Sequence, residues 1–180
     1  MKSLALILTI VLSIFNISQP NNLETEKQKS VESNNEITTY YLIRHAEKDR
    51  SDATEKDPLL TNQGTARAKN WAKVFKDVPF QMVYSTNYNR TKATAQPTAT
   101  SKELELNIYD PNKMYDEKFQ KETKGKTVLV VGHSNTTPAF VNAILKEKKY
   151  TDIPDNDNGY LFIVTLNADN SVSSQVLHIN

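Results

Sequence analysis

Short apolar runs alternate with amphipathic stretches along residues 37–180. Four runs have the length and the β-branched or aromatic content of strands, namely Thr38–Arg44, Phe80–Ser85, Leu106–Tyr109 and Thr127–Gly132. The first and the last are almost continuously apolar, which predicts two central, parallel strands that are covered on both faces. The C-terminal stretch GYLFIVTLNADNSVSSQVLHIN predicts two more strands, joined as an antiparallel hairpin around the turn Ala168-Asp169-Asn170.

Helical periodicity occupies the segments between these runs. In TNQGTARAKNWAKVFKDV, Thr61 is a suitable N-cap, and apolar residues recur at i, i+3, i+4 and i+7 as Trp71, Val74, Phe75 and Val78. A second helix is expected from about Asn87, with a kink or break at Pro97, because proline has no N–H to donate to the carbonyl of Ala93.

Two more helical segments complete the alternation. One covers Lys113–Glu122, and the other follows His133, where Pro138 is tolerated because it falls in the first helical turn. Strands that alternate with helices are typical of an α/β fold. The pattern therefore predicts a three-layer α/β/α domain with a mainly parallel central sheet.

The first 36 residues differ from the rest of the chain. Lys2 precedes an apolar stretch over residues 4–17, which is shorter than a membrane span of about 20 residues and suits a secretory signal peptide. Residues 1–18 are therefore predicted to be a signal peptide or, because the small-x-small cleavage pattern is poor, an N-terminal membrane anchor. A buried helix is the third interpretation. Residues 19–36 are polar and charged, which predicts a flexible linker before a domain over residues 37–180.

Export follows from this interpretation of the N-terminus. The protein is expected to be periplasmic or secreted, or attached through residues 4–17 to the outer face of the cytoplasmic membrane. The chain of 180 residues has room for one domain, and its 22 Lys and Arg residues nearly balance its 21 Asp and Glu residues. This balance argues against bulk electrostatic binding of nucleic acid, so any anion must be recognised locally. The absence of cysteine excludes disulfides, thiolate metal sites and a cysteine nucleophile.

Two of the three histidines each follow an apolar strand, in YLIRH and VLVVGH. Ligands of open α/β sheets bind at the carboxyl ends of strands, so His45 and His133 are expected to face one crevice. Arg44 precedes His45, and its permanent charge requires an anion, a carboxylate or water as partner. His178, in the last strand, is interpreted as structural.

A further arginine and a further helix start are expected at the same crevice. Arg90 follows a strand in VYSTNYNR and falls in or near the first turn of a helix, where free N–H groups favour anions. Gly132 would let the backbone approach a ligand closely, and Ser134 would begin another helix with free N–H donors. Arg44, Arg90, His133 and Ser134 are therefore the predicted phosphate-binding residues.

Such a pocket suits phosphoryl transfer without a metal or another cofactor. Arginine and histidine side chains neutralise the equatorial oxygens while one neutral imidazole attacks phosphorus in line. The leaving group needs a proton, for which Asp110 is the first candidate and Glu47 the second. A metal hydrolase built from both histidines with Asp110 and Glu47 is an alternative, but the nearby arginines would repel a cation.

Four segments resemble motifs of the histidine phosphatase superfamily, which is phosphoglycerate mutase-like. These are YLIRHAEK, LTNQGTARA, VYSTNYNRTKATAQP and VVGHSNT, and they occur in the order of the family. The resemblance implies a phosphoglycerate mutase-like fold and a small single-domain phosphatase of the histidine acid phosphatase type. It also implies that His45 is phosphorylated, that Arg44, Arg90 and His133 hold the phosphoryl group, and that an acidic residue protonates the leaving group.

The chain departs from the family pattern in ways that concern the substrate. The loop KDRSDATEKDP lacks the asparagine of the mutases, and the segment between Arg90 and His133 is too short for their large insertions. The expected substrate is a small phosphomonoester. A phosphoprotein, hydrolysed by a protein phosphohistidine phosphatase, is the alternative within the class. A non-catalytic phosphate-binding module of the same fold is the alternative from another class.

Overall fold

A computed structural model describes residues 36–179 of the chain. The predicted signal peptide or anchor, and the predicted linker up to residue 35, lie outside these described residues. Within them the strands are β1 (Thr38–Arg44), β2 (Met82–Ser85), β3 (Leu106–Ile108), β4 (Thr127–Gly132), β5 (Tyr160–Leu166) and β6 (Val172–His178). The α-helices are α1 (Asn62–Val74), α2 (Asn89–Ser101), α3 (Glu117–Thr123) and α4 (Thr136–Leu145).

The six strands form one sheet in the order β3-β2-β4-β1-β5-β6. Strand β1 is parallel to β4, and β2 is parallel to both β3 and β4, whereas β5 and β6 are antiparallel to their neighbours. The prediction that the first and fourth strands are central and parallel is confirmed, and so is the C-terminal hairpin. Both central strands are almost continuously apolar because each has a helical layer on either face.

Successive residues of the central strands point to opposite faces of the sheet. Leu42 and Val130 pack on the side of α3 and α4, in a core that includes Phe119 and Phe140. Ile43 and the other alternate residues pack on the side of α1 and α2, in a second core that includes Trp71, Phe75 and Ala95. This period of two builds a three-layer α/β/α fold, as the sequence predicts.

The helix starts follow local capping chemistry. The Thr61 side chain accepts a hydrogen bond from the Gly64 amide, at 3.0 Å, so the predicted N-cap of α1 is confirmed. The inner face of α1 is narrower than predicted, because Val74 is 40 % exposed. The predicted third helix is divided into a 3₁₀ helix, Pro111–Lys113, and α3, because the side chain of Asp116 caps a new helix start.

Two proline predictions have different outcomes. Helix α2 runs from Asn89 to Ser101 with Pro97 inside it, so a break at this proline is wrong and a kink remains the prediction. Pro138 lies in the first turn of α4, as predicted, although this helix begins at Thr136 rather than at Ser134. Within residues 36–179, no helix has both the length and the apolar content needed to cross a bilayer.

The layers place a crevice at the carboxyl ends of the two central strands. The chain leaves β1 towards α1 on one face of the sheet, and it leaves β4 towards α4 on the other face. Strands β1 and β4 are neighbours, so their connections diverge from adjacent strand ends. Such a divergence is where open α/β sheets bind ligands, and His45 and His133 directly follow these two strands.

Candidate active site

A cleft of about 330 Å³ lies over the ends of β1 and β4. Five of the residues predicted from the sequence line it, namely Arg44, His45, Arg90, His133 and Ser134. Lys48, Tyr88, Pro111, Asn135, Thr136 and Asp155 complete the lining. A concavity of about 310 Å³ beside it is lined by Asp49, Asp52, Glu55 and Asp57 among others, and its acidic lining disfavours an anion. The cationic cleft is therefore the candidate active site.

Arg44 is almost completely buried and is held in one position by the loop before β5. Its Nη1 donates to the carbonyl oxygens of Pro154 and Asp157, at 2.8 and 2.9 Å, and its Nη2 donates to Oδ1 of Asp155 at 2.7 Å. Its Nε is buried without a hydrogen-bond partner among the described residues. A buried guanidinium N–H is costly to leave unpaired, so this side chain is prepared to bind an anion.

The tautomer of His45 follows from one contact. Its Nδ1 lies 2.7 Å from the carbonyl oxygen of Ala46, which can only accept a hydrogen bond, so Nδ1 carries the proton and Nε2 has the free lone pair. The backbone around the ring is also fixed. The His45 amide donates to the Gly132 carbonyl at 2.9 Å, and Asn158 Nδ2 donates to the His45 carbonyl at 2.7 Å.

The environment keeps His45 uncharged. Burial, followed by the positive charges of Arg44 and Arg90, lowers its pKa to about 3, although the hydrogen bond to Ala46 opposes the shift. Burial and the charges of Arg90 and Arg44 also lower the pKa of His133, to about 4. Both imidazoles are therefore neutral at neutral pH, as a nitrogen nucleophile requires.

His133 joins β4 to the arginine of α2. Its ring centroid lies 5.5 Å from that of His45. Its Nε2 is 2.9 Å from Oγ1 of Thr86, while its Nδ1 is 3.5 Å from Nη2 of Arg90. Arginine only donates, so Nδ1 is the acceptor and Nε2 carries the proton. The 3.5 Å contact is at the limit of hydrogen bonding, so Arg90 can exchange it for a phosphoryl oxygen.

Arg90 is the second buried guanidinium of the cleft. Its Nη1 lies 3.3 Å from Oδ1 of Asp57, and its Cζ lies 4.4 Å from the ring centroid of Tyr88. Its Nε is buried without a hydrogen-bond partner in the described part of the chain. The Tyr88 ring also meets His133 edge-on, at 5.0 Å. Tyr88 therefore fixes the direction of both side chains towards the cleft.

Gly132 and Ser134 differ from their sequence interpretation. A Cβ at Gly132 would lie 2.9 Å from the hydroxyl oxygens of Thr137 and Tyr109, so the missing side chain makes room for these hydroxyls rather than for a ligand. Ser134 lies in the turn before α4 and lines the cleft, and the amide of Ile153 donates to its carbonyl at 2.9 Å. Its contact with phosphate remains a prediction.

Neither predicted acid lines the cleft. Asp110 is exposed, and its Oδ1 accepts hydrogen bonds from the Asn112 amide and side chain at 2.9 and 3.1 Å, so it caps the 3₁₀ helix. Glu47 Oε1 pairs with Arg67 Nε at 2.7 Å, which directs this carboxylate towards α1. A Cβ at Gly64 would overlap the Glu47 carbonyl, so the glycine of LTNQG allows α1 to pack against this loop.

Sequence reasoning did not assign a role to several residues of the site. Lys48, Tyr88 and Asp155 line the cleft, and Asn158 holds the His45 carbonyl. Lys48 lies inside the motif segment YLIRHAEK and Tyr88 inside VYSTNYNRTKATAQP, and this position is the signal that could identify them. Asp155 and Asn158 lie in PDNDNG, whose composition indicates only a turn.

Comparison with known proteins agrees with this geometry. The model of the histidine phosphatase superfamily (branch 1) matches residues 40–111. Among solved structures, the protein histidine phosphatase SixA complexed with tungstate is 15% identical, with a TM-score of 0.60, covering 78% of this chain and 96% of that chain. A phosphoglycerate mutase from Bacillus anthracis str. Sterne is 14% identical, with a TM-score of 0.61, covering 81% of this chain and 95% of that one.

A phosphoserine phosphatase from Entamoeba histolytica, in complex with 3-phosphoglyceric acid, is also similar. It is 17% identical, with a TM-score of 0.59, and the match covers 79% of this chain and 98% of the other. No curated protein sequence gives a significant match. The resemblance to the histidine phosphatase superfamily and the phosphoglycerate mutase-like fold are thus confirmed. The matched segment contains His45 and Arg90, and the fold brings His133, which lies beyond it, into the same cleft.

Proposed function

We propose that this protein is a metal-independent phosphatase that hydrolyses phosphomonoesters through a phosphohistidine on His45. The observation that carries the proposal is the 2.7 Å contact between Nδ1 of His45 and the Ala46 carbonyl, because it leaves a lone pair on Nε2 of a neutral imidazole. This imidazole stands beside two buried guanidinium groups, each with an unpaired Nε–H among the described residues. A nucleophile next to preorganised anion donors is the arrangement that phosphoryl transfer requires.

In the first step, the Nε2 lone pair of His45 forms a bond to phosphorus, and the bond from phosphorus to the ester oxygen breaks. The imidazole gains positive charge, and the Nδ1–H bond to the Ala46 carbonyl strengthens as it does so. In the second step, water attacks phosphorus in line. The N–P bond breaks, and His45 returns to its neutral form with inorganic phosphate as product.

The side chains around His45 have distinct roles in these steps. Arg44 and Arg90 supply forked donors to the equatorial oxygens, and His133 contributes a further donor when its Nε2–H exchanges Thr86 for a phosphoryl oxygen. Each guanidinium is already fixed, Arg44 by two carbonyls and Arg90 by Asp57 and Tyr88. Stabilisation of the transition state therefore needs little reorganisation.

The donor set favours this mechanism over a metal hydrolase. Within residues 36–179, no three His, Cys, Asp or Glu side chains lie together as a metal-binding group. The two neutral histidines lie instead among Arg44, Lys48 and Arg90, whose positive charges disfavour a cation. Hydrolysis in EDTA tests this part of the proposal.

The proposed class is a phosphoric monoester hydrolase of the histidine acid phosphatase type. A protein phosphohistidine phosphatase is the second candidate, because the structurally similar SixA is a protein histidine phosphatase of nearly the same extent as this domain. A phosphohistidine-containing peptide and a small aryl phosphate distinguish the two candidates. The candidate with the higher kcat/KM identifies the preferred substrate class.

The experiment uses the protein without its first 36 residues and a generic aryl phosphate. We expect hydrolysis in the presence of EDTA, and its loss in a folded His45→Ala variant. Activity retained by His45→Ala would exclude His45 as the nucleophile. Micromolar phosphate affinity without turnover of any ester would instead indicate a phosphate-binding module.

Export is a further part of the proposal. It rests on the sequence of residues 1–18, with Lys2 followed by the apolar stretch 4–17. The protein would then act outside the cytoplasmic membrane, either released or anchored there. Cell fractionation of the full-length protein tests this location, and the mass of the mature chain tells whether the segment has been removed.

A further inference from the structure

Asp155 is the one carboxyl-bearing residue among the described residues that line the cleft. It lies in the loop between α4 and β5, far in sequence from the other site residues. Asp110 caps a 3₁₀ helix and Glu47 pairs with Arg67, so neither carboxyl is directed into the cleft. A leaving group in the cleft therefore has one carboxyl within the described lining from which it can receive a proton.

Asp155 is fixed at its backbone and exposed at its side chain. Arg44 holds the carbonyls of Pro154 and Asp157, and the Ile153 amide donates to Ser134, so the loop is tied to the floor of the cleft. The carboxylate itself is 69 % exposed. Its oxygens pair with Arg44 Nη2 at 2.7 Å and with Arg50 Nη1 at 2.8 Å. It therefore lines the same cleft as His45 and can exchange protons with water.

A bound phosphomonoester changes the charge around Asp155. The hydrogen bonds from Arg50 and Arg44 lower the pKa of the Asp155 carboxyl, and the half-buried Lys48 faces the same cleft. The two histidines are neutral, so the lining carries three positive side chains, Arg44, Lys48 and Arg90, against one carboxylate. A dianionic phosphoryl group balances these charges. Asp57, paired with Arg90, and Arg50, paired with Asp155, offset each other, so the bound dianion removes the net positive charge that holds the pKa of Asp155 down and makes protonation of its carboxylate more favourable.

We propose that Asp155 is the general acid of this reaction, an inference that rests on the proposed phosphatase function. As the bond from His45 Nε2 to phosphorus forms and the ester bond breaks, the carboxyl proton of Asp155 passes to the leaving oxygen. Asp155 is then a carboxylate. In the second step it accepts a proton from the water whose oxygen attacks phosphorus, which regenerates the acid and releases neutral His45.

The test compares two esters that differ in how much they need the proton. Phenol is a much weaker acid than p-nitrophenol, so phenyl phosphate depends on a general acid far more than p-nitrophenyl phosphate does. We expect Asp155→Asn to reduce kcat/KM for phenyl phosphate by about 10²-fold or more, with a much smaller loss for p-nitrophenyl phosphate. The amide oxygen that this substitution introduces can still accept the hydrogen bond from Arg44, so the variant keeps the packing contact.

Two further variants separate acid catalysis from a structural role. Asp155→Glu retains a carboxyl and should restore part of the activity on phenyl phosphate. Asp152→Asn changes an exposed carboxylate of the same loop that does not line the cleft, and it should affect neither ester. A structural role of Asp155 would reduce kcat/KM for both esters alike. A role as proton donor makes the reduction larger for the ester with the poorer leaving group.

Three outcomes would overturn the proposal. Equal losses on both esters would make Asp155 a positioning residue for Arg44, and unchanged or improved activity would make it an anion that competes with phosphate. Either result leaves the phosphatase function intact, because wild-type turnover and its dependence on His45 are measured in parallel. If wild-type protein hydrolyses neither ester, nor a phosphohistidine peptide, the proposed function fails, and the acid role fails with it.

Discussion

The two walls of the cleft are built differently. The strand-end wall consists of Arg44, His45, Arg90 and His133, which are buried or half-buried where β1 and β4 end and α2 begins. The loop wall consists of Lys48 and Asp155, which line the cleft, together with Arg50, which pairs with Asp155 from outside the lining; these residues belong to the segments after β1 and before β5. Arg50 and Asp155 are 51 % and 69 % exposed at their side chains, whereas Arg44 is 1 % exposed.

This difference suits the two walls to different roles in phosphoryl transfer: nucleophilic attack with anion binding in one, and proton transfer in the other. The buried side chains have fixed positions, which anion donors require. Burial also lowers the pKa values of His45 and His133, which keeps the nucleophile neutral. Exposed side chains exchange protons with water, as a general acid must do to be reprotonated in each turnover. Their ion pairs, however, contribute little to the free energy of unfolding. Substitutions in the strand-end wall should therefore change chemistry, and also folding where the side chain is fully buried and held by the backbone, as Arg44 is; those in the loop wall should change chemistry with little effect on folding.

The largest expected effect is on the nucleophile. His45→Ala should reduce kcat/KM for an aryl phosphate by about 10³-fold or more, because no other step replaces the covalent intermediate. His178→Ala is the matched control, since this histidine lies on edge strand β6 and does not line the cleft. Steady-state kinetics of both folded variants checks the prediction. Comparable losses of kcat/KM in the two variants would contradict the specific role of His45 as the nucleophile.

The two arginines should differ in their effect on stability. Arg44→Met leaves the carbonyls of Pro154 and Asp157 without their donor and should lower the free energy of unfolding by about 2–3 kcal/mol. Arg90→Met loses mainly a 3.3 Å contact with a partly exposed Asp57 and should cost less than about 1 kcal/mol. Both variants should lose activity. Urea unfolding gives the comparison, and equal destabilisation would contradict it.

The pH dependence of stability tests the neutral state of His45. Its pKa is about 3 in the folded protein and about 6.5 when unfolded, so the unfolded state binds more protons between these values. Stability is therefore fully present above about pH 6.5 and falls as the pH drops, by about 2 kcal/mol between pH 7 and pH 5 for this group. His45→Gln should reduce the loss by that amount. An identical loss in this variant would show that His45 does not cause it.

The smallest effect is expected in the loop wall. Arg50→Gln removes an exposed ion pair with Asp155 and should change the free energy of unfolding by less than about 1 kcal/mol. Salt at about 1 M should remove most of the difference in the free energy of unfolding between the variant and the wild type, because it screens exposed charges. If Arg50→Gln lowered the free energy of unfolding as much as Arg44→Met does, the loop wall would stabilise the fold as strongly as the strand-end wall, contrary to this account.

The same contrast explains what could be predicted from the sequence. Residues that end apolar strands, such as His45 and His133, were located because strand burial and parallel pairing fix their positions from local pattern alone. Arg90 was located because it begins a helix after a strand. The bounds of β1 and β4 were also predicted correctly, since a two-sided core leaves a continuous apolar signal.

The loop residues could not be placed in this way. Asp155 reaches the cleft because Arg44 binds the carbonyls on either side of it, a contact between residues more than 100 positions apart. The sequence favours Asp110 as the acid because it follows β3, but its carboxylate caps the 3₁₀ helix locally. Composition does not distinguish a capping aspartate from one in a cleft, because both occur in polar turns.

Trapping the covalent intermediate tests the proposed role of His45 without relying on a loss of activity. Protein mixed with an isotopically labelled aryl phosphate is quenched within the first turnover, digested and mapped by mass spectrometry. The covalent mechanism predicts an acid-labile, base-stable label on His45 that is absent from His45→Ala and present in His178→Ala. Hydrolysis that proceeds without any label on His45, or a label on another residue, would contradict it.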